Sequence, residues 1–489
     1  MSAGELTATQ HQLWALSQGT TSPAALTLAY ALRVEGLLDV DALAGAFRAF
    51  VLSHEPLRTS FRERDGVVVA EVADDDRALA GLDLVPKEVD EIEVAAAIRR
   101  EREWRFDLRE ETPLRVSLLR IAPDRHVLLV TLHHIAGDGW SLYLLNRDVS
   151  AHYTTLADGG RVEPVRRGFE CSDQARSQRA WLAGPDAEGE ARWWVDRLRG
   201  AAVEASLPGR SRRDAGAVLR RQTAAIPDAL VARLRELAKQ AGVSLYATLL
   251  AAFEVLIERW TGCERAVIGT LAANRPTAAS CEVMGAHYNP LLLDTDVTGD
   301  PSLLECLLRT SARTLSALDH QALPFAAVRR ALVDAFGDEW DVAPRAMFLM
   351  DRYPLAGLEL AGCRLTGLHA GDGAGAVAAV PAATDADVTF FVREVGDRLT
   401  LSVLYRDDTG LDDASIAAVS HAYLEILAAL CDRPETPVGE LDPFEAGPGA
   451  PTAAHEEPGL HEVTRLAPVD ALSPVGDWMG SAQWREVMA

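Results

Sequence analysis

Cysteine is scarce and scattered in this chain. Six occur in 489 residues, Cys171, Cys263, Cys281, Cys306, Cys363 and Cys431, without the paired spacing of metal-ligand sets. Free thiols and no metal site are the expectation. Long apolar runs are missing as well: there is no N-terminal apolar signal segment and no unbroken run of membrane length, which predicts a cytoplasmic protein with no membrane partner. Positive charge is in deficit, 48 Lys and Arg against 72 Asp and Glu, for a formal net charge of −24. A phosphate backbone needs a basic stripe, so nucleic acid is excluded as a partner. The glycine run Gly371–Ala376 lacks a following Lys-Ser/Thr and a clear helix register, and reads as an inter-lobe loop rather than a phosphate cradle. No cofactor-binding motif remains.

What is present is length and alternation. A chain of 489 residues exceeds the roughly 250 to 300 at which a single core stops growing, so two domains are expected. Leu26 to Val34 reads as a strand, Asp41 to Val51 as a helix and Val67 to Val72 as another strand, the alternation of an α/β class. Between Trp181 and Pro227 the composition turns Gly-, Arg- and Asp-rich, with Trp193-Trp194 marking a short helix, and the lobe boundary is placed near residue 180. Asp228 to Trp260 has the spacing of a buried helix pair. An N-terminal lobe over 1–180, a C-terminal lobe over 181–440 and a Pro-, Gly- and acid-rich extended or disordered tail over 441–489 follow, with Trp478 to Met488 read as a short docking segment.

The most informative stretch is His133-His134-Ile135-Ala136-Gly137-Asp138-Gly139-Trp140. It follows Arg125 to Leu132, an apolar run that reads as a buried strand, and precedes Trp140 to Val149, which has helical spacing. Imidazole, with an ordinary pKa of ~6.5, can take a proton from an amine or hydroxyl attacking a carbonyl, without a covalent enzyme intermediate. Adjacent residues on a strand point to opposite faces, so the two histidines are expected to differ in role. Gly139 permits close backbone approach. Asp138 is read as a hydrogen-bond acceptor for the loop or a partner for a buried cation, Ser141 as the helix cap and Trp140 as packing.

These residues resemble the His-His-x-x-x-Asp-Gly motif of the condensation enzymes and domains of nonribosomal peptide synthesis, within the chloramphenicol acetyltransferase-like superfamily. Further segments carry the resemblance from residue 7 to about 430: Thr7-Ala8-Thr9-Gln10-His11-Gln12-Leu13-Trp14, Ser53-His54-Glu55-Pro56-Leu57-Arg58-Thr59-Ser60-Phe61, Ile268 to Arg275, Gly285 to Leu291, and His320 to Phe325. The resemblance implies an α/β fold of two acetyltransferase-like lobes forming a V with the active site in the cleft. It implies that His134 faces the reaction centre, as general base or as the group that orients the nucleophile and stabilises the tetrahedral intermediate. It also implies that His133 is structural and that Asp138 pairs with Arg275. His54 and Arg58 are read as scaffolding.

The implied reaction is transfer of an acyl or aminoacyl group from the phosphopantetheine thioester of a carrier protein to an amine or hydroxyl, forming an amide or ester in natural-product biosynthesis. A polyketide-associated-type acyltransferase and a non-catalytic recruitment domain of the same fold are the alternatives. The chain binds no cofactor itself; the phosphopantetheine arm belongs to the partner. If Met1 begins a complete protein, the carrier must be met in trans. Arg210 to Arg213 with Arg220-Arg221 form the candidate docking patch, solvated loop charge being the competing reading. Asp351-Arg352 stands where many members have Gln-Asn, and His287-Tyr288-Asn289 departs from the usual pattern. Asp351, Arg352 and Asn289 are therefore the acceptor-side candidates, and a small-molecule amine or alcohol is the expected acceptor.

Overall fold

The computed structural model describes residues 3–19, 26–165, 169–202, 207, 218–340, 344–351, 357–368, 386–444 and 461–468. The glycine run, Arg352 and the Arg210–Arg213 patch lie outside them. The described chain is α/β, with helices packed on two larger sheets.

The N-terminal sheet orders its five strands Cys363–Leu368, Thr27–Gly36, Arg125–His133, Leu114–Ala122 and Leu82–Glu88, antiparallel except for the last pair. Arg125–His133 is central, and Val127 to Val130 and Leu132 are each no more than 3% exposed, so an unbroken apolar run there is required by burial on both faces. Helix Val40–Ser53 is capped by Asp39, whose carboxylate accepts the Ala42 N–H at 2.9 Å. It buries Leu43, Phe47, Phe50 and Val51, positions spaced for one helix face. Burial of each such side chain contributes ~1.5–3 kcal/mol.

The C-terminal sheet orders seven strands: Asn289–Asp294, Val267–Ala272, Ala346–Asp351, Val388–Val395, Arg398–Arg406, Val218–Ile226 and His461–Pro468. The helix pair expected from Asp228 onward is Asp228–Ala241 and Leu245–Thr261, broken where Gly242 takes a left-handed φ of 68° and Ser244 caps the second helix. Asp413–Asp432 is apolar and long enough to cross a membrane, although the sequence shows no unbroken apolar run; half of it is buried, with Ile416, Val419, Tyr423 and Leu427 in the C-terminal core.

Two features depart from the sequence reading. The strand Cys363–Leu368 belongs to the N-terminal sheet, and Met284, Ala286, Tyr288, Leu358 and Leu360 pack into the N-terminal core. A single boundary near 180 therefore does not separate the two cores. The crossing strand docks closely on Gly36 (φ 127°), where a Cβ would lie 2.5 Å from the Gly362 carbonyl oxygen. Within the stretch read as tail, His461–Pro468 is an edge strand paired antiparallel with Val218–Ile226.

Candidate active site

The histidine pair straddles the end of the central strand. His133 is its last residue, and His134 opens a 3₁₀ turn over His134–Ala136. The His133 Nδ1 accepts the Ile135 N–H at 3.1 Å, which turns the chain out of the sheet. The difference between the two histidines thus comes from this change of backbone rather than from strand alternation. Gln10 supports the turn from the N-terminal helix, its Nε2 donating to the Ile135 carbonyl at 3.4 Å, while Thr7 and Gln10 cap that helix reciprocally.

Asp138, not Ser141, caps the following helix Gly139–Ala157, which Gly139 opens. The Asp138 Oδ1 accepts the Ser141 N–H and the Ser141 hydroxyl, both at 2.9 Å, and Oδ2 accepts the His287 N–H at 3.2 Å. Arg275 Nη2 donates to both oxygens at 3.0 and 3.1 Å. The guanidinium also donates to the carbonyls of Ser280, Val283 and Gly285, at 2.7, 2.5 and 3.2 Å. Arg275 reaches this position because Asn274, beyond the Val267–Ala272 strand, takes a left-handed φ of 51°. The result is a buried latch between the two halves of the chain. Gly285 completes it: a Cβ there would stand 2.6 Å from His287 Nε2.

His134 is 3% exposed, its ring lies 5.1 Å from that of Tyr288, and its Nδ1 is buried without a hydrogen-bond partner among the described residues. Burial lowers its pKa below the ordinary histidine value, against the opposing pull of the Asp138 carboxylate. Burial and neighbouring His134 push His133 down to about 3; burial and the Arg275 charge push His287 down to about 4. For Asp138 burial acts upward, yet Arg275, His287 and Ser141 together hold the carboxyl below its usual range. The site therefore presents a neutral imidazole beside a carboxylate whose oxygens are already committed.

The acceptor-side candidates fare differently. The Asn289 amide donates to the Gln321 and Leu323 carbonyls at 2.9 and 2.7 Å, and its oxygen accepts the Phe325 N–H at 2.9 Å. Both its donors are spent on the loop before Phe325–Phe336, so Asn289 is scaffold rather than an acceptor contact. Asn289→Ala is expected to leave these buried backbone groups unsatisfied, at ~1–3 kcal/mol each. Denaturant unfolding should show the loss; an unchanged midpoint with altered acceptor KM would contradict the scaffold role. Asp351 ends the Ala346–Asp351 strand beside Arg393. Trp140 donates its indole N–H to the Cys281 carbonyl at 2.7 Å, and His54 is buried against Phe50. The Ser141 hydroxyl, expected to cap the helix, instead donates to Asp138, and Tyr288, which carries no expected role, lies against His134 although it sits in a segment the sequence singles out. Among the described residues, no group of three or more His, Cys, Asp or Glu side chains could hold a metal ion.

A family model described as "Condensation domain" matches residues 2–446. A linear gramicidin synthase polypeptide of Brevibacillus parabrevis is 31% identical over 357 residues, covering 72% of this chain and 7% of that protein. Phosphinothricin tripeptide synthetase PhsB of Streptomyces viridochromogenes is 33% identical over 327 residues, 65% of this chain and 27% of the relative. The chain thus spans a small part of these relatives. Among solved structures, the X-domain from teicoplanin biosynthesis is similar with a TM-score of 0.74 and 26% identity, covering 90% of this chain and 98% of that one. The condensation domain of the monacolin K polyketide synthase MokA, at 18% identity, shares the fold with a TM-score of 0.75, covering 90% and 99%.

Proposed function

Because this chain belongs to the condensation-domain family of nonribosomal peptide synthesis, we propose that it transfers an acyl or aminoacyl group from a carrier protein's phosphopantetheine thioester to an amine or hydroxyl. The observation that carries this reading is the buried, neutral His134 beside an Asp138 fully engaged by Arg275, Ser141 and His287. Asp138 holds the loop, and the imidazole is the group fit to move a proton. The acceptor nitrogen or oxygen attacks the thioester carbonyl; the new C–N or C–O bond forms, the C–S bond breaks, and the acceptor's proton passes by way of His134 to the departing thiolate. The carrier thiol and an amide or ester are the products. Incubation with loaded carriers and a panel of amine and alcohol acceptors, read by mass spectrometry, tests the proposal.

A second reading is favoured by one observation: a teicoplanin X-domain solved in complex with OxyB is 25% identical to this chain, with a TM-score of 0.72. On that reading the chain recruits a partner protein without turnover. Carrier binding with no product from any acceptor would select it.

The protonation state of His134 gives a separate test. Its pKa is lowered in the fold, so the neutral form persists below the ordinary value of ~6.5 as pH falls. NMR of the ring carbons and nitrogens should show the neutral form of His134 in the majority at pH 6.5; half protonation or more at that pH would contradict a burial-depressed base.

A further inference from the structure

The C-terminal sheet buries one face beneath its helices, where Phe348 and Phe390 meet Phe253 at ring distances of 5.4 and 4.9 Å. The alternating residues Met347, Leu349 and Asp351 point the other way. They share that face with Phe391 and Arg393, through the register Leu349↔Phe391 and Asp351↔Arg393. Leu271 packs both on the Met347–Leu349 cluster and on the N-terminal core, so this face is turned towards the N-terminal half. Met347 lies opposite Gly269 in parallel register. The two strands run parallel there, so Asp351, the last residue of Ala346–Asp351, lies towards the same end of the sheet as Ala272, the last residue of Val267–Ala272. Ala273 leads directly into Asn274 and Arg275, while Asn289, next to Tyr288, pairs with Ala272. Asp351 therefore stands at the end of the sheet that carries Arg275 and Tyr288, the neighbours of Asp138 and His134.

At this place Asp351 is poorly satisfied. Its Oδ2 lies 3.7 Å from Arg393 Nε, beyond hydrogen-bond length, and its Oδ1 is buried with no hydrogen-bond partner among the described residues. Asp138, by contrast, has both oxygens hydrogen-bonded. A carboxylate left this way is costly unless a cationic donor completes it. The side chains of Asp351 and Arg393 remain 13% and 18% exposed, so the pair is reachable from one edge. An ammonium, with three donors, can pair with Oδ2, which Arg393 approaches without reaching hydrogen-bond distance, while Oδ1 is enclosed.

We propose that Asp351 is a specificity-determining residue that binds a positively charged nitrogen of the acceptor, additional to the amine or hydroxyl that attacks. The assignment rests on the acyl-transfer reading, and its chemical class is an amine or alcohol bearing a second, cationic nitrogen, such as a linear diamine. Arg393 lies beside the same carboxylate and competes for it.

The test compares 1,4-diaminobutane with butylamine, using the full chain and one loaded carrier at pH 8, alongside calorimetric titration of each amine without carrier. A preference of at least about tenfold for the diamine in kcat/KM is expected, expressed mainly in KM, and Asp351→Asn should bring the ratio towards one. Arg393→Gln, which removes the competing cation, should tighten diamine binding, and it carries the test if Asp351→Asn fails to fold. Product without diamine preference, a preference that survives Asp351→Asn, or diamine binding not tightened by Arg393→Gln overturns the cation site while acyl transfer stands. Asp351-dependent diamine binding with no product from any acceptor retains the cation site and removes acyl transfer. Neither binding nor product overturns both.

Discussion

Replacement of His134 with alanine is expected to reduce turnover by ~10²- to 10⁴-fold, the range that a positioned proton-transfer group supplies. The loss should appear equally in kcat and kcat/KM, because a group that acts in the transition state contributes little to binding the ground state. The fold should survive. Among the described residues the His134 ring makes no hydrogen bond through Nδ1, so its removal strands no partner there, and the latch of Asp138 and Arg275 stays intact. His133→Ala is the contrasting variant: its Nδ1 holds the Ile135 N–H and its ring meets Phe106 edge-on at 5.7 Å, so stability rather than chemistry should fall. Circular dichroism together with single-turnover kinetics separates the two. A folded His134→Ala protein with undiminished turnover would remove the catalytic assignment.

The second large effect concerns Asp138 and Arg275, whose side chains are 6% and 2% exposed. Breaking a buried pair from either side leaves an uncompensated charge, at a cost on the order of 3–5 kcal/mol. Asp138→Ala also removes a helix cap, and Arg275→Ala strands the carbonyls of Ser280, Val283 and Gly285. The double variant should cost less than the sum of the singles, with a coupling of ~0.5–3 kcal/mol. Because the pair joins segments 137 residues apart, both single changes should also lower turnover by loosening the loop that carries His134. Strict additivity in a denaturant double-mutant cycle would show that the two residues act independently and would refute the latch.

The sequence by itself determined the local pieces of this protein. The apolar run to Leu132, the two histidines and the Asp-Gly step specify a buried strand, a turn and a capped helix, because burial, capping and backbone freedom act over a few residues. The same locality made Arg275 and the His287 segment recognisable as motifs. Tertiary structure decided what those pieces meet. That Cys363–Leu368 completes the N-terminal sheet depends on which strand edge lay open to it, and alternation within six residues carries no such information. Asn289 looked available for an acceptor until the loop carbonyls of Gln321 and Leu323 claimed its donors. Tyr288 became a neighbour of His134 only when its segment packed into the N-terminal core. Asp351 acquired its significance from strand direction, which puts it at the end of the sheet that leads to the latch, and from burial that leaves one carboxylate oxygen without a hydrogen-bond partner among the described residues. Hydrogen-bond saturation and burial belong to the assembled chain, since each is fixed by groups that lie far away in sequence.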